Sequence, residues 1–230
     1  MKSILSLALL VGLGLSATAV EAWDNNNTPP QPPSCGNSTF PASGQTTPAT
    51  GTMTHTGATV RDDGFVKAGG PLSYQDNGDG TITDLNTGLM WEKKSNDVSL
   101  HDVNKTFVWS SPITDTVWDW IDAVNTEVAN GVGFAGFNDW RLPNVRELLS
   151  IIDYGRLNPS VDPAFNNHVS AFCTVLTCSA TQTPPYWSST TVATVDVDAW
   201  TVDFAAGHVV AALKSESHFV RAVRGGCVMP

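Results

Sequence analysis

The stretch GFNDWRLPNVRELLSIIDY, Gly136 to Tyr154, contains the clearest helix signal in the chain. Asn144 follows Pro143, and Glu147 stands three residues further on, which is the spacing of a capping box. The pattern predicts a helix that begins at Asn144. This helix should turn three apolar side chains inward, namely Leu148, Leu149 and Ile152.

The charged residues of the same stretch favour a structural role over an active site. Asp139 and Arg141 flank Trp140 on alternate positions of an extended segment, so they should point to one side and pair or bind loop carbonyls. No nucleophile, general base and orienting group stand together here. We therefore interpret five residues as a structural motif: Asp139, Trp140, Arg141, Asn144 and Glu147.

An earlier segment, TVWDWIDAVNTEVANG, predicts a second helix. Its apolar residues recur at intervals of four, three and four, which places them on one face: Val117, Ile121, Val124 and Val128. We expect Gly131 or Gly133 to end this helix. Its acidic residues are interpreted as a solvated face and not as a metal site: Asp119, Asp122 and Glu127.

The segment YQDNGDGTITDLNTGLMWEKK, Tyr74 to Lys94, has strong turn chemistry. It predicts a β-hairpin with outward threonines and an inward Ile82, followed by a strand. The alternative is a calcium loop, because four residues match EF-hand positions: Asn77, Asp79, Gly80 and Ile82. Gln75 and Asn86 occupy the two outer ligand positions, so we expect structural turns, with weak calcium binding at the Asp76 to Asp84 loop left open and no other cofactor.

The C-terminal third alternates aromatic and β-branched residues, as strands do. Trp200, Val202 and Phe204 should share one face, Thr201 and Asp203 the other, with a turn at Ala206-Gly207. HFVRAVRGG should form a further strand whose arginines, Arg221 and Arg224, pair with Asp139, Asp203 or Asp153. The alternative is a glycan- or sulfate-binding surface, with four candidate ligand-binding residues: Lys214, Arg221, Arg224 and Trp187.

The N-terminus predicts export. An apolar run, Ile4 to Leu15, is too short to span a bilayer and is followed by Ala17, Ala19 and Ala22, as in a secretory signal peptide. We expect a signal peptide over residues 1–22, a Pro/Thr/Asn-rich lead-in over 23–59 and one domain over 60–227. The location is then secreted, periplasmic or cell-surface, without membrane insertion.

The cysteine content and the net charge indicate which kinds of site and partner the chain is expected to have. An even number of cysteines in an oxidising compartment predicts two disulfides, Cys173 with Cys178 and Cys35 with Cys227. A zinc site is the alternative, but no Cys-x-x-Cys pair occurs. The formal net charge of −10 argues against nucleic acid as a partner.

Several motifs occur in a known order: DNGDGTITDLNTGLMWEKK, GFNDWRLPNVRELLSIIDY, YWSSTT, AWTVDFAAGHV and VRAVRGG. They resemble the successive motifs of the Legionella collagen-like protein (Lcl) C-terminal domain family, and the likeness covers about residues 40 to 226. The resemblance implies an α+β domain related to C-type-lectin-like and formylglycine-generating-enzyme-like folds. It also implies binding of sulfated glycans and trimeric assembly, although this acidic chain lacks Gly-x-y collagen repeats.

Together these features predict an α+β, C-type-lectin-like single domain with two main helices and several short antiparallel strands and hairpins. The expected function is non-catalytic binding of an extracellular glycan or protein ligand, and a homo-oligomer is allowed. A structural or assembly subunit is the first alternative. A hydrolase is the second, since Ser188 and Ser189 could combine with His168, His208 or His218, yet no catalytic motif accompanies them.

Overall fold

A computed structural model describes residues 40–47, 54–55, 58–59, 62–112, 115–127, 132–168 and 172–225. The predicted signal peptide, most of the lead-in, Cys35 and Cys227 lie outside these ranges. The helices are α1 (Asp63–Val66), α2 (Val117–Asn125) and α3 (Val145–Ser150). The strands are β1 (Thr54–His55), β2 (Ala58–Thr59), β3 (Tyr74–Asp76), β4 (Thr81–Asp84), β5 (Leu89–Glu92), β6 (Thr106–Val108), β7 (Tyr186–Val192), β8 (Val195–Asp203), β9 (His208–Leu213), β10 (Ser217–Phe219) and β11 (Val223–Gly225).

Two mostly antiparallel sheets organise the described part of the chain, beside the small β1–β2 pair. One has the strand order β11-β5-β4-β3, and the other has the order β6-β10-β7-β8-β9. Among the strand pairs of the described residues, only β10–β7 is parallel. Few helices and antiparallel sheets make this an α+β fold, which confirms the predicted class. In the described part of the chain, no helix is long and apolar enough to cross a membrane.

The predicted hairpin forms as β3 and β4, and β5 follows it in the same sheet. Gly78 and Gly80 adopt the positive φ angles that the turn requires. The expectation of an outward Thr81 is wrong, because Thr81 is as fully buried as Ile82. Its hydroxyl is satisfied in the interior: it donates to Asp79 Oδ1 at 2.6 Å and accepts from Asn77 Nδ2 at 2.8 Å.

Helix α2 has the predicted buried face but ends early. Val117, Ile121 and Val124 are buried, together with Trp120, and Val128 lies outside the described residues. The helix ends at Asn125 and not at Gly131 or Gly133. Thr126 is the C-cap: its φ and ψ of −109° and 7° leave the helical region, and its hydroxyl donates to Asp122 O at 2.8 Å, a local bond that competes with continuation of the helix.

Helix α3 begins as the sequence predicts. The Asn144 side chain accepts from the N–H groups of Arg146 and Glu147, and the Glu147 carboxylate accepts from the Asn144 N–H. Leu148 is fully buried and Leu149 partly so. Ile152 is buried too, just beyond the end of the helix.

The five-stranded sheet is covered on both faces. Tyr186 and Trp187 are adjacent on β7 and therefore point to opposite sides, each into its own apolar cluster. The Tyr186 cluster includes α3 and the four-stranded sheet, and the Trp187 cluster includes α2. This double cover explains why Thr201, expected on an outer face, is buried with its hydroxyl donating to Val210 O at 2.9 Å.

The segment HFVRAVRGG is not one strand, as predicted, but two. β10 pairs with β6 and β7, whereas β11 pairs with β5 in the other sheet. Between them the chain crosses from one sheet to the other at Arg221. The Arg221 guanidinium donates to Glu92 O at 2.7 Å and Ala180 O at 2.6 Å, so the crossing is fixed by buried hydrogen bonds that an alternating strand pattern cannot reveal.

Candidate ligand groove

A groove of about 1010 Å³ opens beside α3. Its walls come from the segments on both sides of α1, from α3 and from the face of β8 and β9. The lining is mainly apolar, and its residues are Phe40, Pro41, Ala42, Ser43, Asp63, Ala68, Gly69, Thr87, Leu89, Asn144, Val145, Arg146, Glu147, Leu149, Ser150, Ile152, Tyr154, Trp200 and Val209.

The wall near α1 is anchored to the domain by backbone hydrogen bonds. Ala42 N donates to Gly70 O at 2.8 Å, and Gly70 N donates to Phe40 O at 2.9 Å. The Ser43 carbonyl accepts from Tyr154 N at 2.7 Å, and the Ser43 hydroxyl donates to Asp63. Residues 40–43, placed by sequence in the lead-in, therefore form part of the groove.

Tyr154 forms an aromatic wall of the groove. Its hydroxyl donates to Gly207 O at 3.2 Å, and its ring packs on the β8–β9 turn. Gly207 has a φ of 79° and no space for a side chain, because a Cβ there would lie 2.7 Å from Tyr154 Cε1. The Tyr154 side chain is thus fixed in place while 45% of the residue stays exposed.

Trp200 supplies a second aromatic surface. Trp200 on β8 and Val209 on β9 lie on the same face, because Val202, two residues from Trp200, is the cross-strand partner of Val209. Four other tryptophans donate their indole N–H to backbone carbonyls: Trp109, Trp120, Trp140 and Trp187. Trp200 makes no such bond to any described residue, so its N–H is available to a ligand.

Charged side chains stand at the α3 rim of the groove. The Glu147 carboxylate already has a partner, because Arg141 donates hydrogen bonds to both of its oxygens, at 2.7 and 2.6 Å. These two hydrogen bonds, with the charge of Glu147, raise the pKa of Arg141 against the opposing effect of burial. Arg146, by contrast, is exposed and has no ion-pair partner in the described part of the chain. Arg146 is therefore a cation that a ligand could engage.

The structure does not assemble the four predicted ligand-binding residues into one exposed surface. Trp187 and Arg221 are fully buried, and Arg224 is nearly so. Arg224 pairs with Asp139, one of the three predicted carboxylates, whereas Arg221 binds backbone carbonyls and hydroxyls instead of a carboxylate. Lys214 lies over the Trp109 ring and donates to Thr191 and to Asp196 O. None of the four lines the groove.

The residues of the predicted structural motif make contacts other than the expected Asp139–Arg141 pair. Asp139 and Arg141 do not pair with each other: Asp139 binds Arg224, and Arg141 binds Glu147 and the Gly225 carbonyl. Trp140 is buried, and its indole donates to Phe134 O at 2.9 Å. The stretch therefore anchors α3 to the end of the domain.

The carboxylates of the Asp76 to Asp84 loop accept hydrogen bonds from groups in and beside the same turns. Asp79 Oδ1 accepts from Thr81, and Asp84 accepts from the Asn86 N–H and the Thr87 hydroxyl. The two oxygens of Asp76 accept from Gly78 N and Lys93 Nζ. Elsewhere, the predicted Cys173–Cys178 disulfide is present, and the Ser188 hydroxyl is occupied as a donor to Trp200 O.

A buried polar cluster is the main feature that sequence reasoning missed. Glu92 and Lys94 were expected only as the end of a strand, and Glu127 as part of a solvated face; His101 was not considered. The four side chains are in contact, three of them buried and Glu127 29% exposed at the edge, with Lys94 Nζ 3.0 Å from Glu92 Oε1. The sequence contained one signal for this cluster: Glu92 and Lys94 carry opposite charges and are spaced by two residues at the end of a strand, so their side chains lie on the same side.

A comparison with known protein families gave a match. Residues 80–224 match the Lcl C-terminal domain. The chain belongs to the Lcl C-terminal domain family. A comparison with curated proteins found no match to the chain.

Proposed function

We propose that this chain is a secreted or surface-exposed bacterial binding protein that recognises an extracellular glycan in the groove beside α3, without catalysis. The observation that carries the proposal is the pairing of two partly exposed aromatic residues, Trp200 and Tyr154, in one groove. A C-type-lectin-like architecture is part of the proposal. It is consistent with the α+β fold and with the resemblance of the motifs.

The chemistry of the groove fits a sugar. A pyranose ring has apolar C–H faces and a rim of hydroxyl groups, and aromatic rings stack on such faces. Trp200 also offers an unengaged N–H, and Arg146 at the rim offers donors to hydroxyl or acidic substituents. The volume of the groove is at the upper end of typical ligand sites, which suits a short oligosaccharide better than a single sugar.

Two features support the proposed location: the predicted signal peptide over residues 1–22 and the disulfide between Cys173 and Cys178, which is typical of oxidising compartments. An acidic chain, with a formal net charge of −10, does not favour nucleic acid as a partner. We propose no cofactor for binding.

The test is a glycan array with the protein lacking residues 1–22, repeated with and without calcium. Trp200→Ala and Arg146→Gln should each weaken binding, whereas Trp118→Ala should bind as the parent protein does. Trp118 is a matched control because it is 38% exposed but lies on α2, away from the groove. Binding that survives Trp200→Ala in a protein with an unchanged melting temperature would place the ligand elsewhere.

A second candidate function is an assembly subunit, which the edge strand β9 favours. Its side chains Val209, Val210 and Leu213 are 40%, 49% and 49% exposed. β9 contains no lysine or proline to discourage strand pairing. Under this alternative the occupant is a second copy of the chain. Size-exclusion chromatography with mass detection should then give an oligomer that Val210→Lys dissociates, and a monomeric parent protein would exclude it.

A further inference from the structure

A buried imidazole lies between two carboxylates in the part of the core that contains α2. His101 Nδ1 is 2.7 Å from Glu92 Oε1, and His101 Nε2 is 2.9 Å from Glu127 Oε2. The His101 ring is 3% exposed and packs on Phe134 at a centroid distance of 4.0 Å. The two carboxylates come from different elements, since Glu92 ends β5 and Glu127 follows α2. His101 therefore bridges these elements.

Hydrogen-bond chemistry fixes the protonation state that this geometry needs. An ionised carboxylate can only accept, and a neutral imidazole has one N–H and one lone pair. Both ring nitrogens of His101 face carboxylate oxygens, so both must carry a proton for the two contacts to be hydrogen bonds. Loss of one proton would set a lone pair against a carboxylate oxygen.

The two contacts are not equally strong. Glu92 is fully buried and also accepts from Lys94 Nζ and from Ala222 N at 2.8 Å, so it cannot move without losing several bonds. The side chain of Glu127 is 29% exposed and can turn to water. When His101 is neutral, its Nδ1–H therefore stays hydrogen-bonded to Glu92, and its hydrogen bond to Glu127 is lost.

We propose that His101 is a proton-operated latch that holds Thr126 and Glu127, the two residues after α2, against β5 while its imidazole carries two protons, and releases them when one proton leaves. The released part has defined connections. The Glu127 carbonyl accepts from Gly133 N at 3.1 Å, and Gly133 precedes Phe134, the residue stacked on the His101 ring. Release therefore loosens the end of α2 and the turn that leads to Trp140.

The charged groups around His101 set the direction of the pH response. They are Glu92 and Lys94 from β5 and its continuation, Glu127 beyond α2, Asp97 and Asp102 in its own loop, and Arg221 at the sheet crossing. Burial acts to lower the pKa of His101, but the hydrogen bonds to Glu127 and Glu92 outweigh it and raise this pKa above its ordinary value of 6.5. The latch is then fully closed below about pH 6.5 and opens as the pH rises through the folded-state pKa.

Hydrogen exchange of the intact chain tests the proposal. Protection factors of peptides covering residues 117–127 should be constant below about pH 6.5, fall by up to about tenfold for each pH unit between there and the folded-state pKa of His101, and level off at higher pH. Glu127→Gln should remove this fall, because the glutamine amide can donate to the lone pair of a neutral imidazole. Glu216→Gln is the matched control, since Glu216 contacts another histidine, His218, and should leave the fall unchanged.

A fall in protection that persists in Glu127→Gln would overturn the proposal, as would constant protection in the parent protein. An NMR titration of the His101 ring in the parent protein gives an independent readout. A midpoint above 6.5 supports the latch, and a midpoint at or below 6.5 contradicts it.

Discussion

The Arg224 guanidinium binds the Asp139 carboxylate through two contacts, 2.6 Å from Nε to Oδ1 and 3.2 Å from Nη2 to Oδ2. Asp139 belongs to the loop before α3, and Arg224 lies on the last described strand, β11. Arg224 also lies 3.7 Å above the Phe137 ring. This arrangement ties the sequence stretch with the clearest helix signal to the end of the domain, so its charges serve the fold.

Asp139→Ala should lower the free energy of unfolding by about 1–3 kcal/mol, because it leaves the buried Arg224 charge without its carboxylate. The loss should stay below that of a fully buried pair, about 3–5 kcal/mol, since the Asp139 side chain is 55% exposed. Urea denaturation measures it. Arg146→Gln, at an exposed and unpaired arginine, should change stability by no more than about 0.5 kcal/mol. Equal stabilities of the two variants would refute a structural role for the pair.

Asn144→Ala should destabilise the protein by about 1 kcal/mol through loss of the α3 N-cap. Asn144→Asp keeps an accepting oxygen and should retain most of the stability. Thermal melts of the two variants compare the cap directly. If Asn144→Ala has the same melting temperature as the parent protein, the cap contributes nothing measurable to stability and tertiary packing alone holds α3.

Rules that depend on residues a few positions apart predicted the start of α3 and the β3–β4 hairpin correctly. Asn144 with Glu147 gave a helix start, and the glycines of the Tyr74 to Lys94 segment gave a hairpin, because caps and turns depend on residues a few positions apart. The crossing at Arg221 and the early end of α2 were mispredicted. The crossing depends on Glu92 O and Ala180 O, and a linear pattern contains no record of such distant partners.

The candidate site was less predictable than the fold. Trp187 and Trp200 look alike in an alternating strand pattern, yet one is buried in the α2 cluster and the other lines the groove. The difference arises because both faces of the five-stranded sheet are covered, except where the groove leaves part of one face open. Burial of that kind is a tertiary property and is absent from strand periodicity.

Glu92→Gln should be strongly destabilising, by about 3–5 kcal/mol, because Lys94 would remain buried without a counter-charge. Burial acts to raise the pKa of Glu92, but the Lys94 charge and the His101 bond outweigh it and lower this pKa. The stabilisation is therefore present above the ordinary pKa of 4.5 and is lost as the pH falls through the lower folded value.

The double variant Glu92→Gln with Lys94→Met removes both charges. It should be less destabilised than the sum of the two single variants, and a double-mutant cycle by denaturant unfolding measures this coupling. Additive losses would show that the two side chains do not interact across their 3.0 Å contact.

Cys178→Ser should cost about 2 kcal/mol, since the disulfide to Cys173 closes a short loop and constrains the unfolded chain only modestly. The effect should stay local. Asn96 N donates to Cys173 O at 2.9 Å, so hydrogen exchange should rise near Asn96 and Cys173 but not in α3. Exchange that rises equally in α3 would mean that the loop supports the whole domain.

Folding of the Asp76 to Asp84 loop should not require calcium. Each of its three carboxylates already accepts hydrogen bonds within the turns, and Asp76 is also neutralised by Lys93 at 2.7 Å. Gln75 and Asn86 supply no charge at the outer positions, and low ligand charge limits affinity to about the millimolar range.

Melting temperatures in chelator and in millimolar calcium should therefore agree within a few degrees. Asp79→Ala should lower both equally, because it removes the acceptor for the Thr81 N–H at 3.0 Å and hydroxyl at 2.6 Å whether or not the ion is present. Thr83→Ala, which changes a neighbouring side chain but leaves the Asp79 bonds intact, is the control. A rise of many degrees in calcium that Asp79→Ala abolishes would instead establish a metal-stabilised loop.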